Sequence, residues 1–411
     1  MSFPKRGRAA GTILTELDQL QQHDIDWKGG RAFSLAYYAD ENLYALAQEA
    51  CARYLSTNAL NVAAFPSLRN LQNDVVAAVA GLLHGGTEAA GFMTSGGTES
   101  ILMAVKAARG RGAERGITAP EMVLPTTAHA AFEKGAEYFG VRSVRVPVRD
   151  DFGADVAAME RAITANTVLV VGSAPGYPQG IIDPISEIAP LAQSRETNCH
   201  VDACMGGITL PMLERLGYPI PPFDFRVPGV TSISVDLHKY GYAAKGAGVI
   251  VHRTRALRKH QTFTTENWLG GLYASSGVLG TKGGGPIAAA WAVMQYLGEE
   301  GYLRLTKAAR QATEELIAGL RAIPGVAVLG EPPATLVAFT FADVDAFAVG
   351  DALARHGWYV DQQQPPRSLH CTVHAANCNV IRDFLAAVRH ALDEVRSAAA
   401  TGSQKAYGSL E

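Results

Sequence analysis

Between residues 116 and 252 the chain alternates between short β-branched apolar runs and amphipathic helical stretches. No other feature narrows the fold as much. Strand-like runs stand at 122–124, 143–148, 167–171, 200–203, 230–235 and 248–251, with helix-like stretches at 129–139, 155–164, 184–194 and 206–216. Runs this short and this continuously apolar are buried on both faces. Strands that alternate with helices build a mainly parallel α/β sheet covered on both sides. In such sheets ligands sit beyond the carboxyl ends of the strands.

The flanking segments read differently. Helical spacing predicts helices over 13–22, 41–55 and 68–83, with a loop rich in Asn and Pro between the last two. Residues 262–286 are aromatic and glycine-rich, and a long helix follows over 287–322. Strands at 326–329, 336–341 and 370–373, with helices at 344–356 and 379–398, make a smaller α+β unit. The expected division is an N-terminal arm with helices (1–60), a large domain (61–290), a small C-terminal domain (291–400) and a tail (401–411). The small polar residues from 397 onward predict a frayed end.

Composition excludes several classes. A formal net charge of −3 offers no footprint for nucleic acid. No apolar run approaches the 18 or so residues of a membrane span. The five cysteines are odd in number and lack CxxC spacing, as expected of reduced thiols in a cytoplasmic protein. Residues 1–8 are basic without a following apolar segment, so no signal peptide is expected. No HExxH or Cys/His spacing predicts a metal site.

Two strand ends carry the chemistry. The run His200-Val201-Asp202 ends in an acid, and Ser234-Val235-Asp236-Leu237-His238-Lys239 delivers a His-Lys pair into a Gly/Tyr-rich loop. Either one alone is ordinarily a helix cap or a solvated strand end. Together they are what pyridoxal 5'-phosphate requires: a lysine to hold the aldehyde, and a carboxylate to keep the pyridine nitrogen protonated. The third part is Gly91 to Ser100, reading GFMTSGGTES, where strand, glycine turn and helix start share ten residues. Its backbone N–H groups, the helix N-terminus and the Thr98 and Ser100 hydroxyls suit a phosphate. The spacing is not that of a dinucleotide site.

These stretches, together with Thr127–Lys134 (TAHAAFEK), Ser173–Pro178 (SAPGYP) and above all the run His200–Gly246, resemble the sphingosine-1-phosphate lyases, within the group II pyridoxal-phosphate decarboxylase superfamily. The resemblance is clear over about 30–300 and looser beyond. It implies an aspartate-aminotransferase-like fold (fold type I), an obligate homodimer with shared active sites, a soluble chain without a membrane anchor, and retro-aldol cleavage of a phosphorylated long-chain amino alcohol. By the same resemblance Lys239 is the lysine joined to the cofactor and Asp202 the partner of its ring nitrogen. His129 stacks on the ring, Gly97 and Thr98 bind its phosphate, and His238 flanks the lysine. Tyr38 and Lys245 lie near the substrate phosphate, and Gly283 reaches the partner subunit's cofactor.

Two positions depart from the family. Asn61, in Asn58-Ala59-Leu60-Asn61, and Gln179, after Pro178, stand where the family commonly has histidine. An amide is a weaker phosphate partner than an imidazolium, which keeps a different amine open as substrate, with Asn61 among the residues contacting it. Amino-acid decarboxylation, an aldol-type reaction on a specialised metabolite and a catalytically silent binding protein are the other readings. The first would need a cation to hold a carboxylate; the last is at odds with the intact Lys239, Asp202 and glycine turn.

Overall fold

The computed structural model describes residues 3–398, 401–403 and 405. The expected 401–411 tail lies mostly outside them. Three helices come first: α1 (Ala10–Gln21), α2 (Glu41–Arg53) and α3 (Pro66–Leu82). The Asp40 carboxylate caps α2 by accepting the Leu43 N–H at 2.9 Å, and Pro66 opens α3 at the position where a missing N–H costs nothing.

Strands and helices then alternate: β1 (Ala90–Thr94), α4 (Gly97–Glu114), β2 (Glu121–Pro125), α5 (Ala131–Phe139), β3 (Arg142–Val146), α6 (Val156–Ala162), β4 (Thr167–Ser173), α7 (Ile185–Ser194), β5 (Asn198–Asp202), α8 (Gly206–Arg215), β6 (Val230–Asp236) and β7 (Gly248–His252). They form a seven-stranded sheet in the order β1-β7-β6-β5-β4-β2-β3. The pairings from β6 to β3 are parallel, and β7 runs antiparallel to both of its neighbours. Strands β2, β4, β5 and β7 are buried at every residue, as the unbroken apolar runs require.

The register places the strand ends side by side. Ser173 is level with Asp202, and Asp202 with Ser234. Across β7, Asp236 is level with Gly248, and Gly248 with Thr94. The glycine turn, the acid of β5 and the lysine loop after β6 therefore share one edge of the sheet.

After the short α9 (Arg255–Arg258) comes a hairpin, β8 (Phe263–Thr265) and β9 (Tyr273–Ser275), where composition alone had indicated only an aromatic, glycine-rich stretch. The long α10 (Gly284–Arg321) leaves helical geometry only at Gly298. The expected 290/291 boundary falls inside it. Residues up to Leu305 pack in the core of the large sheet, and Ala312, Leu316 and Leu320 pack in a second core. That second core lies under β10 (Val326–Leu329), β11 (Leu336–Phe341), α11 (Ala346–Arg355), β12 (Asp361–Gln363), β13 (Ser368–Thr372) and α12 (Ile381–Ala398). Phe33, far away in sequence, completes it, 4.3 Å from Phe384 between ring centroids. The N-terminal segment thus ties the two cores together.

Candidate active site

The 95–99 turn bends where β1 meets α4. Gly96 has φ +142°, and a Cβ there would stand 2.6 Å from His238 Cε1. A Cβ on Gly97 would stand 2.7 Å from Cys204 Sγ and 2.8 Å from Asp236 Oδ2. Only glycine lets this turn press so closely on the ends of β5 and β6. Glu99 is buried and holds the turn from behind, accepting the Ser95 N–H at 2.6 Å and the Val278 N–H at 2.7 Å. The first amides of α4 have no partner within their own helix, an arrangement that suits an anion.

A cavity of about 290 Å³ opens in front of the turn, lined by Gly97, Thr98, His129, Asp202, His238 and Lys239 among others. Of the residues singled out from sequence, these six come together. Asp202, at the end of β5, is nearly buried. Burial alone would raise its carboxyl, but His129, Cys204 and His200 outweigh that and hold it below the usual carboxylate range. His129 Nδ1 accepts the Ala131 N–H at 3.1 Å. Burial pushes its pKa down, so the ring presents a neutral face with its proton on Nε2. His238 behaves alike: Nδ1 accepts the Ala247 N–H at 3.2 Å and burial lowers its pKa.

The remaining picks lie elsewhere. Lys245 and Tyr38 line a second cavity of about 450 Å³ that adjoins the first through His238. The Lys245 ammonium donates to the carbonyls of Leu35 and His238 and sits 5.0 Å from the centre of the Tyr37 ring. Although much of the residue is exposed, the tucking of its charged end pushes its pKa down to about 8. The Tyr38 hydroxyl donates to Glu41 Oε2 at 3.1 Å, and its ring packs edge-on against Trp27. Asn61 is exposed and accepts the Ala63 N–H at 3.0 Å, a local turn outside the cavity with Lys239. Gly283 pairs with Asn58 and precedes α10, also outside that cavity.

Three residues were not singled out from the sequence. Asp236 is buried, with Oδ2 3.0 Å from Lys239 Nζ and 3.7 Å from His238 Nε2. An acid three residues before the lysine was the available signal. Tyr177 lines the same cavity and donates to Asp361 of β12, so the small domain braces one lining side chain from behind. Tyr37, next to Tyr38, is the tyrosine against Lys245.

Comparison with known proteins places this geometry. The pyridoxal-dependent decarboxylase conserved domain matches residues 3–342. The chain is 42% identical over 394 residues to a sphingosine-1-phosphate lyase of Arabidopsis thaliana, covering 94% of this chain and 72% of that protein. It is 40% identical over 413 residues to sphingosine-1-phosphate lyase 1 of Rattus norvegicus, covering 99% and 73%. The solved structure of a sphingosine-1-phosphate lyase from Burkholderia pseudomallei superposes with a TM-score of 0.92 at 39% identity, covering 97% of this chain and 94% of that one. A turn built for a phosphate, a lysine and a buried anionic carboxylate around one cavity are what pyridoxal phosphate needs, and the chain is a pyridoxal-phosphate-dependent enzyme that belongs to the sphingosine-1-phosphate lyases of the pyridoxal-dependent decarboxylase family.

Proposed function

We propose that the chain cleaves the Cα–Cβ bond of a phosphorylated long-chain amino alcohol such as sphingosine 1-phosphate, giving a fatty aldehyde and phosphoethanolamine. The observation that carries this reading is the convergence of Lys239, Asp202, His129 and the glycine turn on one cavity, in a chain so similar to enzymes of that name. Pyridoxal phosphate, when bound, supplies an aldehyde for the amine and an electron sink for the bond that breaks. Lys239 holds the aldehyde and Asp202 meets the ring nitrogen. His129 offers the flat face of a neutral imidazole to the ring. Gly97 and Thr98 hold the phosphate with N–H groups and a hydroxyl. These residues would hold the cofactor at both ends and so fix its ring plane, and the scissile bond could then be set perpendicular to it. Lys239 Nζ, with Asp236 beside it, is the group placed to move a proton at Cα. Lys245, on the wall of the adjoining cavity, meets the substrate phosphate.

The test is product analysis: the holoenzyme with sphingosine 1-phosphate should release hexadecenal and phosphoethanolamine in equal amounts. Carbon dioxide from an amino acid, with no aldehyde from the phosphorylated amine, would overturn the reading in favour of decarboxylation.

The working form is a homodimer. Its support is apolar surface on two elements: Trp268, Leu269 and Leu272 on the β8–β9 hairpin are 57%, 109% and 70% exposed, and α1 buries none of its residues while exposing Leu14, Leu17 and Leu20. Apolar area of this extent belongs at an interface, and the resemblance puts Gly283, a few residues past the hairpin, against the partner subunit's cofactor. Sedimentation at micromolar concentration should give twice the chain mass of 43.5 kDa; a monomer would refute it. The five unpaired cysteines support a cytoplasmic enzyme; among the described residues no helix is long and apolar enough to cross a membrane.

A further inference from the structure

Behind Asp202 runs a line of buried polar side chains that no step above uses. Ser232 Oγ lies 2.9 Å from His200 Nδ1, and His200 Nε2 lies 3.2 Å from Ser234 Oγ. The Ser234 hydroxyl lies 3.2 Å from Asp202 Oδ1, which also accepts the Cys204 N–H at 3.1 Å. Ser234 and His200 are wholly buried, and Ser232 nearly so.

The proton positions follow from valence. A carboxylate only accepts, so the single Ser234 hydrogen goes to Asp202. Ser234 must then accept from His200, which places the ring proton on Nε2. Nδ1 is left to accept from Ser232. Burial pushes the His200 pKa down to about 4, so the ring is neutral and this tautomer persists at neutral pH. The Cys204 thiol, 3.3 Å from Ser234 Oγ, adds a weak donor.

We propose that His200 and Ser234 are positioning residues that fix the rotation of the Asp202 carboxylate, tying down Oδ1 so that Oδ2 is presented to the ring nitrogen of the cofactor. Each member of the line polarises the next. Ser234 makes a charge-assisted bond to the carboxylate, while His200 keeps the Ser234 hydrogen from turning elsewhere. The inference rests on the assignment of Asp202 as partner of the ring nitrogen and extends it to residues on the neighbouring strand.

The test measures cofactor binding by the unloaded protein, not turnover. Ser234→Ala, Ser234→Cys, His200→Phe and Asp202→Asn are titrated with pyridoxal phosphate. The dissociation constant and the pH dependence of the bound cofactor's absorbance are recorded, with thermal melting of each unloaded variant as the control for folding. A hydrogen bond to a charged group lost at Ser234 predicts a dissociation constant raised roughly 10- to 100-fold. The pH at which the absorbance changes should move from the wild-type value, because the weaker anchor no longer holds the ring nitrogen protonated as firmly. Ser234→Cys, a poorer donor of similar size, should fall between alanine and wild type, and it carries the test should alanine fail to fold. His200→Phe should have a smaller effect of the same sign, and Asp202→Asn the largest. Wild-type binding and an unchanged pH profile in Ser234→Ala and Ser234→Cys, beside a large loss in Asp202→Asn, would overturn the proposal. Wild-type binding in Asp202→Asn would overturn the assignment of Asp202 itself, and the proposal with it.

Discussion

Lys239 Nζ stands 3.0 Å from Asp236 Oδ2, three residues back along the chain, at a site where Asp236 is only 2% exposed. The lysine side chain keeps about a fifth of its surface open to the cavity. A turn between them, with the Lys239 N–H donating to the Asp236 carbonyl at 3.4 Å, brings the two side chains together.

Removing one partner leaves the other's charge buried. Lys239→Met should therefore abolish turnover and also destabilise the protein, by about 1–3 kcal/mol, the cost of leaving a buried polar group unpaired. Adding Asp236→Asn should restore most of that stability without restoring activity. Denaturant unfolding of the two single variants and the double variant measures the coupling. Borohydride should fix the cofactor to the wild type and fail to do so in Lys239→Met; covalent trapping at another lysine would show the assignment wrong.

The Lys245 pKa, pushed down to about 8 by the tucking of its charged end, sets a pH dependence. Above that pH the ammonium loses its proton and with it the attraction for a phosphate. KM for a phosphorylated amine should rise as pH passes through about 8, with kcat little changed. Lys245→Arg keeps its charge and should flatten the profile. Linkage has a definite sign: the unfolded lysine binds its proton more tightly than the folded one, so this group makes stability rise between pH 8 and 10.5.

Gly97→Ala should be costly out of proportion to one methyl group. Its Cβ would meet Cys204 Sγ at 2.7 Å and Asp236 Oδ2 at 2.8 Å. Overpacking of this kind costs about 1–3 kcal/mol and would displace the turn proposed to hold the cofactor phosphate. We expect cofactor affinity to fall about tenfold or more, read by titration of the unloaded protein. Unchanged affinity would mean that the turn does not bear on the cofactor.

The two adjacent tyrosines should separate cleanly. Tyr37 lies under the Lys245 ammonium, while the Tyr38 hydroxyl is committed to Glu41. Tyr37→Ala removes a cation–π contact worth about 1 kcal/mol, together with packing against Tyr240 and His374. It should raise KM about fivefold or more, whereas Tyr38→Phe should leave KM within about twofold of wild type. The reverse order would favour Tyr38 as the substrate-side residue.

Much of this architecture was legible in the chain. The apolar runs of β2, β4, β5 and β6 announce a doubly covered sheet because a strand buried on both faces has no room for polar alternation. Asp202 and Lys239 stand out because each ends such a run, and strand ends are where these sheets bind ligands. The position of β7, inserted antiparallel between β6 and β1, was not legible. Strand order is decided by packing between segments distant in the chain, and each strand's own residues are silent about its neighbour.

The local pattern of residues determined which segments become strands and helices, and which side chains carry the chemistry of an aldehyde cofactor, because periodicity and residue type are properties of short stretches. Only the tertiary structure decided which groups face one another. It placed Tyr37 rather than Tyr38 beside Lys245 and ran His200 and Ser234 in behind Asp202. Side-chain direction at a turn, and register between parallel strands, are fixed by contacts between segments that the order of residues along one chain does not record.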